Sequence, residues 1–111
     1  DDGDASRNAR ALTRAWLSAM DVKSYATAYG AFAGGDATYA YEWPKVKCPS
    51  LFLTGSGDPN STPEMARQMA ALTPGSVVRI IQGHRHMVNL TAPEAVNALM
   101  REWLATPEPA A

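Results

Sequence analysis

Cysteine is nearly missing from this sequence: Cys48 stands alone among 111 residues. That excludes an internal disulfide framework and a cysteine-rich zinc cage. Histidine is almost as scarce, with His84 and His86 only. No apolar run approaches the roughly 20 residues that cross a bilayer. Neither sign of charge dominates: ten Lys and Arg stand against eleven Asp and Glu, a formal net charge of −1. That balance gives no electrostatic reason to bind nucleic acid or an anionic membrane. There is no internal repeat and no long low-complexity segment. The acidic start, Asp1-Asp2-Gly3-Asp4, does not suit a signal peptide. Without Met at position 1, residue 1 is not expected to be a natural translation start. What remains is one domain's worth of chain, expected in the cytoplasm. Its hydrophobic content of 46% suits a packed core and is too high for a disordered chain.

The chain divides near residues 41–44. Before that point it is Ala-rich and reads as helices. Asp4-Ala5-Ser6 is positioned to cap a first helix ending near Met20. Leu12, Ala15, Trp16 and Ala19 recur at three and four residues and so share one face. A second helix begins near Asp21, carries Tyr25, Ala28, Tyr29 and Phe32 on one stripe, and ends at Gly34-Gly35. A helical turn over residues 37–41 should stop at Trp43-Pro44, because the residue before proline is pushed out of the helical region.

After the division, strands and helices alternate. Residues 46–54 read as a strand with Pro49 at its beginning. The run Leu51-Phe52-Leu53 predicts burial on both faces, as in a parallel sheet. Residues 55–60, Gly-Ser-Gly-Asp-Pro-Asn, form a loop. Ser61 and Glu64 have capping-box spacing for a helix whose inner stripe is Met65, Met69 and Leu72. Pro74-Gly75 ends it. Residues 76–81 read as a second strand and residues 83–90 as a loop. Thr91 and Glu94 form another capping box. Val96, Leu99, Met100, Trp103 and Leu104 then trace an amphipathic helix. The reading is helices followed by a β-α-β-α unit of a parallel sheet. Two parallel strands leave open edges and want more sheet.

In open parallel sheets, reactive groups sit just beyond the C-terminal strand ends. Asp58 follows the first strand and His86 follows the second. A carboxylate beside an imidazole is the orienting half of a nucleophilic triad: it fixes the tautomer and stabilises the imidazolium.

The residues that carry this chemistry also carry a resemblance. Pro49-Ser50-Leu51-Phe52-Leu53-Thr54-Gly55-Ser56-Gly57-Asp58 resembles the P-x-L-x-L-x-G-x-x-D segment of the α/β-hydrolase superfamily. Gly83-His84-Arg85-His86-Met87 resembles its G-x-G-H histidine loop, with Arg85 where glycine is common. Pro93-Glu94 and the closing helix are similar to that family's C-terminus. The resemblance covers about residues 44–104. It implies an α/β class with a partial α/β-hydrolase fold. Residues 1–43 resemble the end of a helical cap, residues 44–105 the C-terminal β-α-β-α part, and residues 106–111 a frayed tail. It implies that Asp58 is the acid and His86 the base of a Ser-His-Asp triad. The nucleophile elbow, G-x-S-x-G, is absent from the sequence. Ser56 sits in the acid loop, not on an elbow. The expectation is the C-terminal portion of a serine hydrolase, acting on an ester, lactone or related acyl compound, with the isolated chain inactive. Relatives with an Asp nucleophile share these C-terminal motifs, so the motifs alone do not choose the reaction.

Plainer readings stand beside this one. Asp in a Gly-Pro-Asn loop is often a turn former. His84 and His86 form a His-x-His pair, but a metal site needs a third ligand, from Asp58 or Glu94. His84 is expected near the site or exposed. Arg85 is expected to be solvated or to bind a backbone carbonyl or substrate carboxylate. Cys48 is expected to be a buried thiol. Trp16, Tyr25, Tyr29, Phe32 and Tyr39 are expected as packing residues rather than a pocket lining, and Met65, Met69 and Met100 as core. No cofactor is implied. The expected partners are a small-molecule substrate and the N-terminal part of the hydrolase or another copy of the chain. The rival reading is a non-catalytic assembly module that pairs through its exposed sheet edges.

Overall fold

The computed structural model describes residues 3–35 and 38–106. Helices α1 (Asp4–Ala19) and α2 (Val22–Gly35) come first, then a 3-10 helix (Ala40–Lys45). Strand β1 (Ser50–Gly55), helix α3 (Pro63–Leu72), strand β2 (Ser76–Ile81), helix α4 (Val88–Thr91) and helix α5 (Pro93–Ala105) follow. This is an α/β chain: helices, then a β-α-β-α unit. The two strands are parallel, with Ser50 opposite Ser76 and Gly55 opposite Ile81. The acidic start at Asp1-Asp2, the helical turn at Ala37 and the tail from residue 107 onward lie outside the described residues. Thr106, expected in the tail, instead closes α5, donating through Oγ1 to the Glu102 carbonyl at 3.0 Å.

Successive side chains of a strand point to opposite faces. On one face of β1, Phe52 meets Trp43 edge-on, their ring centres 5.7 Å apart. On the other, Leu53 joins Ile81, Val88 and Val96, with Ala92 and Leu99 packed around them. This small core lies directly beneath the loop that carries His86. Helix α3 packs on both strands, α5 on β2, and α1 on α4.

Several expectations need correction. Strand β1 starts at Ser50, four residues later than expected, because its pairing begins there and Pro49 has no N–H to give. Cys48 is therefore in the lead-in and exposed, not buried. Leu51, Phe52 and Leu53 are half-buried rather than enclosed, since two strands cannot cover one another's edges. The 3-10 helix runs through Trp43-Pro44 to Lys45 instead of stopping before them. Gly3 takes the N-cap of α1, so Asp4 and Ser6 lie inside the helix; Asp4 pairs there with Arg7. A one-turn helix, α4, interrupts the loop expected over residues 83–90.

The expected apolar stripes of α1 and α2 face outward, whereas those of α3 and α5 turn inward in part: Met69 on α3 and Leu99 and Trp103 on α5 are half-buried, and Val96 is buried. On α1 the buried residue is Ala9, with Ser6 and Thr13 half-buried beside it; Leu12, Ala15, Trp16 and Ala19 face outward. Trp16 is 52% exposed and Phe32 67% exposed, so the aromatic side chains are not core packing. Tyr25, Tyr29 and Phe32 touch one another along α2 at ring separations of 5.8 and 6.1 Å. On α3 the buried residue is Ala66, continued inward by the C-cap Thr73, with Met69 half-buried, while Met65 and Leu72 are exposed. On α5 Val96 is buried, and Met100 and Leu104 are exposed. Small residues are inside because α3 lies close on the strands. Periodicity marks a face without saying what covers it.

The caps were misassigned for identifiable reasons. Pro63 occupies the first turn of α3, so Thr62, not Ser61, is the N-cap, and its Oγ1 accepts from the Met65 N–H at 3.2 Å. Helix α5 has Ala92 at its N-cap and no side-chain cap. Thr91 does not cap it, because its hydroxyl is bonded to His84. Thr62→Ala should lower the folding stability by about 1 kcal/mol, while Ser61→Ala stays within about 0.5 kcal/mol of the parent. Urea midpoints of the two variants test this.

Candidate active site

The ends of β1 and β2 lie side by side, and each opens into a reactive loop. Three bonds at Ser56 and Gly57 join the loops, besides the one between Asp58 and His86. The Ser56 N–H donates to the Ile81 carbonyl at 2.9 Å, and the Gly57 N–H to the His84 carbonyl at 2.9 Å. The Gly83 N–H donates to Ser56 Oγ at 3.0 Å. Gly83 adopts φ +76°, a turn that suits glycine. Gly55 permits the approach: a Cβ there would lie 2.4 Å from the His84 carbonyl oxygen and 2.7 Å from that of Arg85. Both obstructing atoms are backbone and cannot swing aside.

Within this frame Asp58 is 5% exposed. Its Oδ1 accepts from the Asn60 and Ser61 N–H groups at 2.8 and 2.9 Å. Its Oδ2 lies 2.9 Å from His86 Nδ1. Thr54 Oγ1 donates to the Ser61 carbonyl at 2.7 Å, pinning the loop, and lies 3.4 Å from Asp58 Oδ2. Burial pushes the Asp58 pKa up. The Ser61 and Asn60 amides, and then His86, outweigh burial together and hold the carboxyl below its ordinary value. Asp58 is therefore an ionised acceptor. A ring nitrogen facing that carboxylate carries the proton, which leaves the lone pair on Nε2. His86 is exposed, its side chain 52% accessible.

His86 lines an open groove of about 860 Å³ between the histidine loop and α1. Arg10, Thr13 and Arg14 contribute from α1, and His84 and Arg85 from the loop. His84 is half-buried, its Nδ1 bonded to Thr91 Oγ1 at 2.9 Å. Arg85 is exposed. Among the described residues, no three His, Cys, Asp or Glu side chains gather to hold a metal, so Glu94 does not complete a site with the histidines.

The structure thus brings together Asp58 and His86, the two residues singled out from sequence. Four supporting residues escaped that reading. They are Gly55 and Ser56 at the loop junction, Thr54 behind the carboxylate, and Thr91 behind His84. A glycine ending a strand was the signal for the first. The others are ordinary hydroxyls with no sequence mark.

Over residues 2–99 the chain matches the alpha/beta hydrolase family. It belongs to that family. The (E)-2-((N-methylformamido)methylene)succinate hydrolase of Acinetobacter baylyi is 52% identical over 91 residues, 82% of this chain and 35% of that protein. The chain therefore spans about a third of that relative's length. A thermophilic esterase from Thermogutta terrifontis, solved with malate bound, matches with TM-score 0.58 and 35% identity, over 60% of this chain and 24% of the esterase. An alpha/beta hydrolase enzyme from the metagenome of lagoon sediments at Mar Chica, Morocco, matches with TM-score 0.57 and 30% identity, over 60% of this chain and 30% of that one. Among the described residues, no helix of this family member is long and apolar enough to cross a membrane.

Two measurements test the site's construction. Gly55→Ala should destabilise the chain by about 1–3 kcal/mol, the range for forced overpacking. Gly57→Ala should be mild, because a Cβ there meets the His84 carbonyl oxygen at an ordinary 3.4 Å. Equal urea midpoints would refute the close-approach argument. The second concerns pH. The folded pKa of Asp58 lies below its unfolded value of about 3.9. Its contribution is complete above that unfolded value and is lost as pH falls through the folded pKa. Between about pH 5 and pH 2 the parent should lose stability more steeply than Asp58→Asn; parallel profiles would contradict this.

Proposed function

We propose that the chain is the C-terminal portion of a hydrolase that cleaves an acyl bond in an ester, a lactone or a related compound. Asp58 is the acid and His86 the base of a Ser-His-Asp triad, and the nucleophile lies outside these residues. The observation that carries this reading is the 2.9 Å contact of Asp58 Oδ2 with His86 Nδ1 at the ends of adjacent parallel strands. The family match and the hydrolase relative support it. Ser56 is not the nucleophile: it stands in the acid loop, where its Oγ accepts from the Gly83 N–H.

In this mechanism His86 Nε2 takes the proton of the nucleophile's hydroxyl as its oxygen bonds to the substrate's acyl carbon. Asp58 holds the ring and balances the imidazolium charge. The ring then gives the proton to the leaving group as the acyl bond breaks. Water, deprotonated by the same nitrogen, attacks the acyl-enzyme; as the bond to the nucleophile's oxygen breaks, the ring returns that proton to the oxygen and the acid is released. The scheme calls for no cofactor. The Acinetobacter relative is named for a substituted succinate, and an acid-bearing substrate is part of this proposal.

The outward stripes of α1 and α2 are the surfaces proposed to meet the upstream part of the hydrolase or another copy of the chain. Contiguous apolar surface of this kind marks a contact. Neither nucleic acid nor a membrane is a proposed partner, and the proposed location is the cytoplasm.

A chimera tests the proposal: residues of this chain replace the matching third of the Acinetobacter hydrolase. The chimera should hydrolyse that enzyme's substrate, and the isolated chain should not. His86→Ala in the chimera should cost on the order of 10⁶ in turnover, as loss of the base does in a comparable triad. Turnover by the isolated chain, or an unaffected His86→Ala chimera, would overturn the reading.

A further inference from the structure

Three arginines meet at the groove beside His86: Arg10 and Arg14, one turn apart on α1, and Arg85 on the histidine loop. Among the described residues, no Asp or Glu lines that groove. Three other arginines have acidic neighbours, while Arg101, on α5 away from the groove, has none among the described residues. Arg7 pairs with Asp4, Arg67 with Glu64 at 3.7 Å, and Arg79 with Glu102 at 3.6 Å. Among the described residues, Arg10, Arg14 and Arg85 pair with none.

Folding does not account for this gathering. Like charges four residues apart weaken a helix, so Arg10 and Arg14 act against α1. Arg85 adds a third positive charge across the groove. Three unneutralised guanidiniums around one concave surface form a site for an anion. The guanidinium's planar fork matches a carboxylate, which it can grip with two parallel hydrogen bonds. A low-dielectric wall strengthens that grip; Ala9 and Leu17 supply apolar lining here.

We propose that Arg10, Arg14 and Arg85 form a carboxylate-recognition subsite, which holds an acid group of the substrate while its acyl carbon lies at His86. This deepens the triad reading and rests on it for the identity of the occupant as a substrate. The three arginines are binding and specificity residues. They take no part in proton transfer.

Succinate is the probe. Titrated into the 111-residue chain at low salt, it should bind in the millimolar range, weaken as salt is added, and shift the NMR signals of Arg85 and the middle of α1 around Arg10 and Arg14. Arg10→Gln, Arg14→Gln and Arg85→Gln should each weaken binding by about tenfold, the scale of one charge-assisted hydrogen bond. Arg67→Gln, on α3, should leave it unchanged. Dimethyl succinate, which has no charge, should not bind. Circular dichroism checks that each variant is folded, and Arg14→Lys, which keeps the charge but not the fork, should fall between parent and Arg14→Gln.

Three outcomes overturn the proposal: no binding at tens of millimolar succinate, binding that the groove variants do not weaken, or equal binding of succinate and inorganic phosphate. The last would make the groove a general anion patch. The result is separable from the triad reading. An active chimera with no succinate binding sinks the subsite alone. Succinate binding that the groove variants weaken, with a dead chimera, sinks the triad alone. Where both hold, Arg10→Gln in the chimera should raise KM for the acid-bearing substrate with little change in kcat.

Discussion

Everything at this site depends on two strand ends being allowed to touch. Backbone meets backbone where Gly55 passes the His84 and Arg85 carbonyls, closer than any side chain would permit. That approach places the Ser56 and Gly57 N–H groups on the Ile81 and His84 carbonyls. It also brings Asp58 and His86 within a hydrogen bond of each other. The hydrophobic core is small, but it lies under this junction. Ile81 ends β2, Val88 begins α4, and Val96 ties α5 to both. The modest apolar burial in this chain is concentrated where it steadies the histidine loop.

Asp58 shows how burial and charge are reconciled. A carboxylate so enclosed would ordinarily be driven toward its neutral form. Two amides of its own loop and the facing imidazole reverse that. The loop Asp-Pro-Asn-Ser has a double role: it is a turn, and its turn amides are the solvation shell of the acid. The bland reading of Asp58 as a turn former and the reactive reading as an orienting carboxylate describe the same geometry.

How much of this was legible beforehand depended on whether the deciding interaction was local. The β-α-β-α order, the parallel sheet and the positions of Asp58 and His86 were legible, since strand ends and glycine-rich loops mark themselves. Thr62 was within reach, because Pro63 fixes the first turn of α3 and makes the preceding residue its cap. Thr91 was not. Its hydroxyl bonds His84, seven positions away in sequence, and no spacing rule anticipates it. The stripes on α1, α2 and α5 were visible as patterns. Whether Leu12, Trp16 or Leu104 becomes core depends on surfaces that a period of 3.6 does not encode. The groove arginines were hidden for a related reason: Arg10 and Arg14 stand more than seventy positions from Arg85.

Asp58 and His86 are 28 positions apart, and the bond from Gly83 to Ser56 spans 27. None of these long-range bonds can exist before α3 has folded back and set β2 against β1. The entropy of closing that loop is met first, and the reactive pair comes into being afterwards. The pair is therefore a reporter of chain topology. Partial order in the helices leaves it unformed, and fraying of either strand end dissolves it. An imidazole signal that senses Asp58 says that the whole β1–α3–β2 unit has closed.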